Sequence, residues 1–325
     1  MEMTNIKSGF NKWRTDSTDR PKDPKMKANK KRDFMEYIIE KMFLLNACVA
    51  VISVTAIALF VFYKGLQPFF AANHEGTYSL VDFLTGVEWR PNDDVSKAIY
   101  GIFYMIIGSL LATGGAIIIG LPIGLLTAVF ISEIAPKPLK MVVKPAVELL
   151  AGIPSVIYGV FGLGVIVPKL MVISPQNKGQ SLLAVIMVLA VMILPTVITI
   201  SESAINTVPK SYKEGSLGLG ASKIQTIFGV VIPAAKSGIM AGVVLGIGRA
   251  IGETMAVMLV AGNPIAGIPT SIWDPIRPLT TNIAMEMGYA FGLHQEMLFS
   301  TGVVLFVFII ILNLIMNRIT TREGE

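Results

Sequence analysis

The chain has 325 residues, 53% hydrophobic and only 15% charged, with a mean hydropathy of +0.66 and a net charge of +5. A water-soluble domain of this length carries more charge and shorter apolar runs, so the composition excludes that class and predicts an all-α integral membrane protein. One cysteine, Cys48, excludes an intrachain disulfide framework, and two histidines, His74 and His294, exclude a histidine-rich metal site.

Residues 1–32 are polar and rich in lysine, with Pro21 and Pro24 and almost no apolar periodicity, and the stretch 1–41 is predicted to be a disordered, basic cytoplasmic tail. A lipid-attracted tail is the alternative, through Lys25, Lys27, Lys30, Lys31 and Arg32, although Asp16, Asp19, Asp23 and Asp33 dilute that charge. The run Met42 to Tyr63 is too long for a signal-peptide core and no small-residue cleavage site follows, so it reads as a retained membrane helix. Five further spans follow, giving about six transmembrane helices: 42–63, 100–131, 145–168, 182–203, 237–262 and 298–317. Pro122, Pro154 and Pro195 fall inside spans and predict kinks. Lys and Arg concentrate before span one, after spans two and four and after span six, which predicts that both termini, including the tail 318–325, and the 204–236 loop face the cytoplasm. Residues 42–97 thus form the first helix with its outer loop, and 98–317 form the core. The outer loops hold Phe69, Phe70, Phe83, Trp89 and Trp273, which suit an aromatic belt at the membrane surface or a docking face for an external partner.

The loop 204–236 is longer than a simple connection needs, and such loops usually carry function. Val208-Pro209 breaks the chain, and two helix-compatible pieces, Tyr212 to Leu217 and Ser222 to Val231, meet at Gly218 and Gly220. They form either a knob that presents side chains to a soluble partner or an amphipathic pair lying on lipid. Glu214-Gly215-Ser216, then Gly220, then Val230-x-Ile232-Pro233 keep the spacing of the EAA loop, E-A-A, three residues, G, nine residues, I-x-L-P. That loop marks the permease subunits of ABC importers, which this region resembles, with Gly215 and Ser216 standing where the pattern has alanines. Gly248 to Val257, Glu148 to Gly159 and Leu279 to Ala284 with Gly292-Leu293-His294 resemble the phosphate ABC importer permeases of the PstC type. The likeness covers roughly residues 98–317.

Arg249 and Glu253 lie inside an apolar run, where an ionisable side chain is a functional-site hypothesis by default. Four residues apart, they share one face if the helix is continuous, either as a self-neutralising pair or as groups lining a route. A guanidinium recognises phosphate through charge-assisted hydrogen bonds, so Arg249 is the candidate anion ligand, with Glu253 holding it when the anion is absent and Thr254 alongside. Gly242, Gly246, Gly248 and Gly252 offer a small-residue face for close helix approach, expected across a subunit interface. Glu148 is expected to snorkel toward Lys144 or the interface.

No G-x-x-x-x-G-K-[ST] phosphate loop and no catalytic constellation occurs, so the chain is expected to bind no cofactor and to be no enzyme, the ATP and Mg belonging to a separate ATPase. The resemblance implies the type I ABC importer permease (MetI-like) architecture and a phosphate importer in a bacterial plasma membrane. It implies as partners a PstA-type permease, a PstB-type ATPase dimer and an extracytoplasmic phosphate-binding protein. In that scheme Glu214, Gly215, Ser216, Gly220 and Pro233 form the ATPase contact. A permease for sulfate or molybdate, or a stand-alone anion channel or carrier, is the alternative.

Overall fold

The computed structural model describes residues 30–70, 78–92 and 94–322. The tail up to residue 29, His74 and the last three residues lie outside them. Helix α1, Lys30–Phe70, opens the chain; α2, Leu80–Thr85, and a two-stranded antiparallel hairpin of β1, Trp89–Arg90, and β2, Ile99–Tyr100, follow. Then come α3 (Phe103–Val129), α4 (Lys137–Gly152), α5 (Ser155–Phe161), α6 (Val167–Ile173) and α7 (Leu182–Asn206). The chain continues with α8 (Lys210–Gly218), α9 (Lys223–Thr226), α10 (Ile232–Ala234), α11 (Lys236–Gly252), α12 (Met255–Val260), α13 (Leu279–Glu286) and α14 (Gly292–Arg322). Among the described residues three π turns, Phe130–Ile134, Gly162–Ile166 and Ile227–Val231, sit at helix junctions.

Among the described residues five helices are long and apolar enough to cross a membrane: Phe34–Phe70, Phe103–Ile134, Ser155–Ile173, Leu182–Asn206 and Gly292–Ile315. The chain divides into two compact units, Met1–Ala58 and Leu59–Glu325. In the first, every residue from Phe34 to Ile57 is exposed, an apolar surface all round that suits lipid rather than water.

Several expected spans differ from the sequence reading. The first helix already begins at Lys30 and runs to Phe70, so residues 30–41 are helix rather than part of a tail. The third begins at Ser155, not at 145, because α4 ends at Gly152 and Pro154 starts a new helix instead of kinking one. A proline lacks the N–H that a first helical turn leaves unbonded anyway, so it fits best at such a start. The fifth, expected unbroken over 237–262, stops at Gly252; Glu253 is extended, with φ −69° and ψ 126°, and α12 restarts at Met255. At its other end α11 meets α9 and α10 in a bend of 70°. The final helix continues to Arg322, beyond the expected start of a tail at 318. Through Pro122, α3 runs on without interruption, as α7 does through Pro195.

Within the second unit, α7 is the central strut. Ser181 caps its start, accepting from the Ala184 N–H at 3.3 Å, and one core cluster gathers its residues Val185, Leu189 and Met192 with Ala112 and Ala116 of α3 and Val257 of α12. Gly242 and Gly246 face α7, where an added Cβ would lie 3.2 Å from Ile200 and 3.0 Å from Val197. That face therefore packs inside the chain rather than across a subunit interface, while Gly248 and Gly252 have nothing within 4 Å.

A second cluster buries Phe83, Trp89, Tyr100 and Tyr104 with Leu279 and Met297. Phe83 and Trp89 are 0% exposed, so these two are core residues and not a membrane belt; Phe70, at 76%, stays on the surface. The segments 86–101 and 261–278 interweave here: the Trp89 N–H donates to the Ile265 carbonyl at 2.8 Å, and the Asn263 N–H to that of Ile276 at 3.1 Å. This is the hairpin end of the bundle. The opposite end carries α8 to α10 and a third cluster of Val129, Ile131, Ile205, Ile227 and Val231.

Close approach of α5 to α12 depends on Gly159, whose added Cβ would fall 2.7 Å from the Ala256 Cα and 3.1 Å from its carbonyl oxygen. Gly159→Ala should force the two helices apart at a cost of about 1–3 kcal/mol, read as a lower unfolding temperature in detergent; Gly164→Ala, at an open position, should leave it unchanged.

Candidate functional site

The loop after α7 folds as a knob. Pro209 precedes α8, which needs no N–H there, and α8 ends at Gly218. The turn passes through Gly220 at φ +87°, a left-handed conformation that costs other residues about 1–2 kcal/mol. Ser222 and Gln225 then start α9 with a reciprocal capping box: the Gln225 N–H donates to Ser222 Oγ at 3.3 Å and the Ser222 N–H to Gln225 Oε1 at 2.8 Å. The Ser216 and Thr226 hydroxyls bond at 3.0 Å and tie α8 to α9. Lys213 pairs with Glu133 in the π turn after α3. Glu214, Gly215, Gly220 and Pro233 are exposed, and so are Leu219, at 92%, Ile224 and Phe228. All five residues assigned to the coupling contact are thus gathered on α8–α10.

Next to the knob, the buried Glu202 carboxylate accepts from Lys144 at 2.9 Å and from Asn206 Nδ2 at 3.1 Å, with Lys140 at 3.7 Å. Lys144 is therefore engaged by Glu202 and not by Glu148, which lies exposed on α4.

The intramembrane pair is arranged differently from the expectation. Because the helix stops at Gly252, Arg249 and Glu253 do not stack on one face, and no ion pair joins them among the described residues. Arg249 is half-buried and its Nη1 donates to Thr196 Oγ1 at 3.5 Å, a long bond. Glu253 Oε1 accepts from the Ala256 N–H at 3.0 Å and so caps α12. Thr254 Oγ1 donates to the Gly252 carbonyl at 3.2 Å, and Thr280 Oγ1 to the Glu253 carbonyl at 3.1 Å. Glu253, Ser109, Thr113 and Thr280 line a cavity of about 10 Å³. That is room for about one water. Arg249 is not among its lining residues.

Sequence reasoning missed one cluster. Glu286, at the end of α13, is buried and accepts from Trp89 Nε1–H at 2.7 Å, from Arg277 Nη2, and meets His294 Nε2 at 2.7 Å. His294 stacks on Tyr100 with ring centroids 6.2 Å apart. Burial pushes the Tyr100 phenol up to about 12, with Tyr78 and Glu286 adding to it, so the ring is neutral at physiological pH. The signal available in the sequence was a single carboxylate between Met285 and Met287 in an otherwise apolar segment.

The profile described as "Binding-protein-dependent transport system inner membrane component" matches residues 120–323, which hold the knob, the break and Arg277, Glu286 and His294, while Trp89 lies before them. The chain belongs to this family. It is 40% identical over 284 residues to the "Probable ABC transporter permease protein YqgH" of Bacillus subtilis, covering 86% of this chain and 90% of that relative. It is 38% identical over 266 residues to the "Phosphate transport system permease protein PstC" of Mesorhizobium japonicum, covering 74% and 80%. Its fold is similar to a bacterial ABC transporter involved in the import of the acidic polysaccharide alginate, with TM-score 0.62 at 18% identity over 90% of this chain and 99% of that one. The chain therefore has the all-α fold of the ABC importer permeases, and the family places it in a membrane as a multi-pass component of an importer.

The knob's shape rests on its glycine turn. Gly220→Ala should speed amide exchange across 210–226 by about fivefold or more, the equivalent of about 1 kcal/mol, and leave the spans unchanged. Gly215→Ala, which has open space around its Cβ, should not speed it.

Proposed function

We propose that this chain is a transmembrane permease subunit of an ATP-driven phosphate importer, forming the translocation pathway and coupling to a separate ATPase through the knob of α8–α10. The observation that carries the coupling is the exposed Glu214 beside a fixed glycine turn, in the register of the EAA loop, on the surface of a folded knob. The exposed Leu219, Ile224 and Phe228 suit a protein groove, which favours a soluble partner over lipid because Glu214 and Lys223 share that surface. The relatives named for phosphate transport support the substrate.

In this reading the knob and both termini face the cytoplasm and the hairpin end faces outward, in keeping with the Lys and Arg bias of the connections. A PstA-type permease completes the pathway, a PstB-type ATPase dimer grips the knob, and an extracytoplasmic phosphate-binding protein delivers the anion. ATP binding closes the ATPase dimer, the knob moves with it, and Lys213 carries that movement to the end of α3 through Glu133. Arg249 takes the anion once the pathway opens, since among the described residues the hydrogen bond that its guanidinium must give up is the long one to Thr196. Glu253 and Thr254 hold the helix break beside that route, and the small cavity at Glu253 is the closed form of the path.

Two variants test this in a reconstituted complex supplied with loaded binding protein and ATP. Arg249→Ala should lower labelled-phosphate uptake by about a hundredfold, in the range of a lost charge-assisted contact, while subunit co-purification and basal ATPase persist; wild-type uptake in that variant removes Arg249 from the pathway. Glu214→Lys should leave ATP hydrolysis without uptake, and transport at the wild-type rate would count against the knob as the ATPase contact. Uptake of sulfate or molybdate in place of phosphate would reassign the substrate.

A further inference from the structure

The Glu286 cluster lies at the hairpin end and does not line the cavity at Glu253, yet the chain connects the two directly. Glu286 gathers groups from four separate places: Trp89 of β1, Arg277 before α13, its own position at the end of α13, and His294 in the first turn of α14. Arg277 is 3% exposed, and its Nη2 is held by Glu286 while Nε has no partner among the described residues, so Glu286 fixes its position. From Arg277 the chain passes through Pro278 into α13. There the Leu279 N–H donates to Ser109 Oγ at 3.1 Å, and Thr280 Oγ1 donates to the Glu253 carbonyl at 3.1 Å. Only two residues, Pro278 and Leu279, therefore separate a residue held by the hub from the hydroxyl that holds the helix break.

We propose that Glu286 is a positioning residue of the transport site: it joins the β1–β2 hairpin to the Glu253 break, with Thr280 as the last link. The inference rests on the reading of Glu253 as part of that site. Its physical basis is rigidity. A short segment pinned at Arg277 and at Leu279 leaves Thr280 one place to stand, and Thr280 fixes the carbonyl at which α11 ends. A displacement of Trp89, in the segment that faces outward in the proposed orientation, then reaches the break without passing through the long helices. Glu286 accepts the indole N–H directly, so the hairpin cannot shift without either losing that bond or moving the carboxylate and Arg277 with it. Ser109 and Thr280 both line the cavity, so the same movement alters its walls.

The relay predicts that damage at its two ends is not independent, because either end alone releases the same break. The test uses the whole reconstituted complex with Glu286→Gln, Trp89→Phe, Thr280→Val, Thr280→Ser and the double variant Trp89→Phe with Thr280→Val. Without substrate, Trp89→Phe and Thr280→Val should each raise amide exchange over residues 250–258 by about fivefold, the loss of one hydrogen bond, with 182–206 unchanged and no further rise in the double variant. Glu286→Gln should do the same. If its altered charge prevents assembly, Trp89→Phe carries the test from the hub. With substrate, the turnover of uptake should fall by a similar factor at unchanged KM for the loaded binding protein, and Thr280→Ser should restore it. Unchanged exchange at 250–258 in Trp89→Phe, or effects that multiply in the double variant, would overturn the relay. Failure of the wild-type complex to import phosphate would instead sink the proposed substrate, and the exchange measurements would still decide the relay.

Discussion

A helix that stops within a membrane-spanning stretch frees backbone donors and acceptors, and each one left unbonded away from water costs about 1–3 kcal/mol. The break at Glu253 and Thr254 meets that constraint with local side chains and one outside helper. Glu253 Oε1 takes the Ala256 N–H, Thr254 covers the Gly252 carbonyl, and Thr280 covers that of Glu253. The surrounding architecture follows from this need. Segment 276–280 must lie against the break, so the hairpin that braces the segment must lie against it too, and α12 must pack on α5 closely enough to require Gly159.

Each end of the second unit is closed by a buried carboxylate with several partners, Glu286 at the hairpin end and Glu202 at the knob end. Such groups add little net stability compared with apolar residues of the same shape, but removing one partner of a buried pair costs about 3–5 kcal/mol. Their value is geometric: a carboxylate with three donors accepts only one arrangement of the elements that supply them. Glu202 fixes α4 against α7 through Lys140 and Lys144, and Lys213 fixes α8 to the end of α3 through Glu133. The knob is therefore joined by the chain to α7 and α11 and by the Lys213–Glu133 pair to the end of α3, which suits a part that must pass on movement.

The knob was legible in the sequence because its determinants are local. Pro209, Gly220 and the Ser222-to-Gln225 spacing each act within a few residues, so their pattern states the turn and the two helix starts. Span existence was legible from length and hydropathy for the same reason. The break at Glu253 was not, because apolar residues continue on both sides and one of the bonds that satisfy it comes from a tertiary partner, Thr280. The pairing inferred from the spacing of Arg249 and Glu253 failed with the continuous helix it assumed. The third span shifted because Ala146 to Gly152 carry a single charge, Glu148, among apolar residues and run straight on to the next apolar stretch, although α4 ends at Gly152. Trp89 and Phe83 could not be told from interfacial aromatics, since a membrane surface and a buried core select the same side chains. Arg277, Glu286 and His294 are brought together by folding alone.

The three π turns change what a shift in chain length means here. A π turn holds one residue more than the α-helical turn it replaces, and each residue of an α-helix rotates the chain by about 100°. Loss of one residue from Phe130–Ile134 or Ile227–Val231 would let the turn tighten while everything beyond kept its facing. These junctions, unlike the middle of α3, whose Gly115, Gly120 and Gly124 pack on α7, are where sequences of different length can share one bundle.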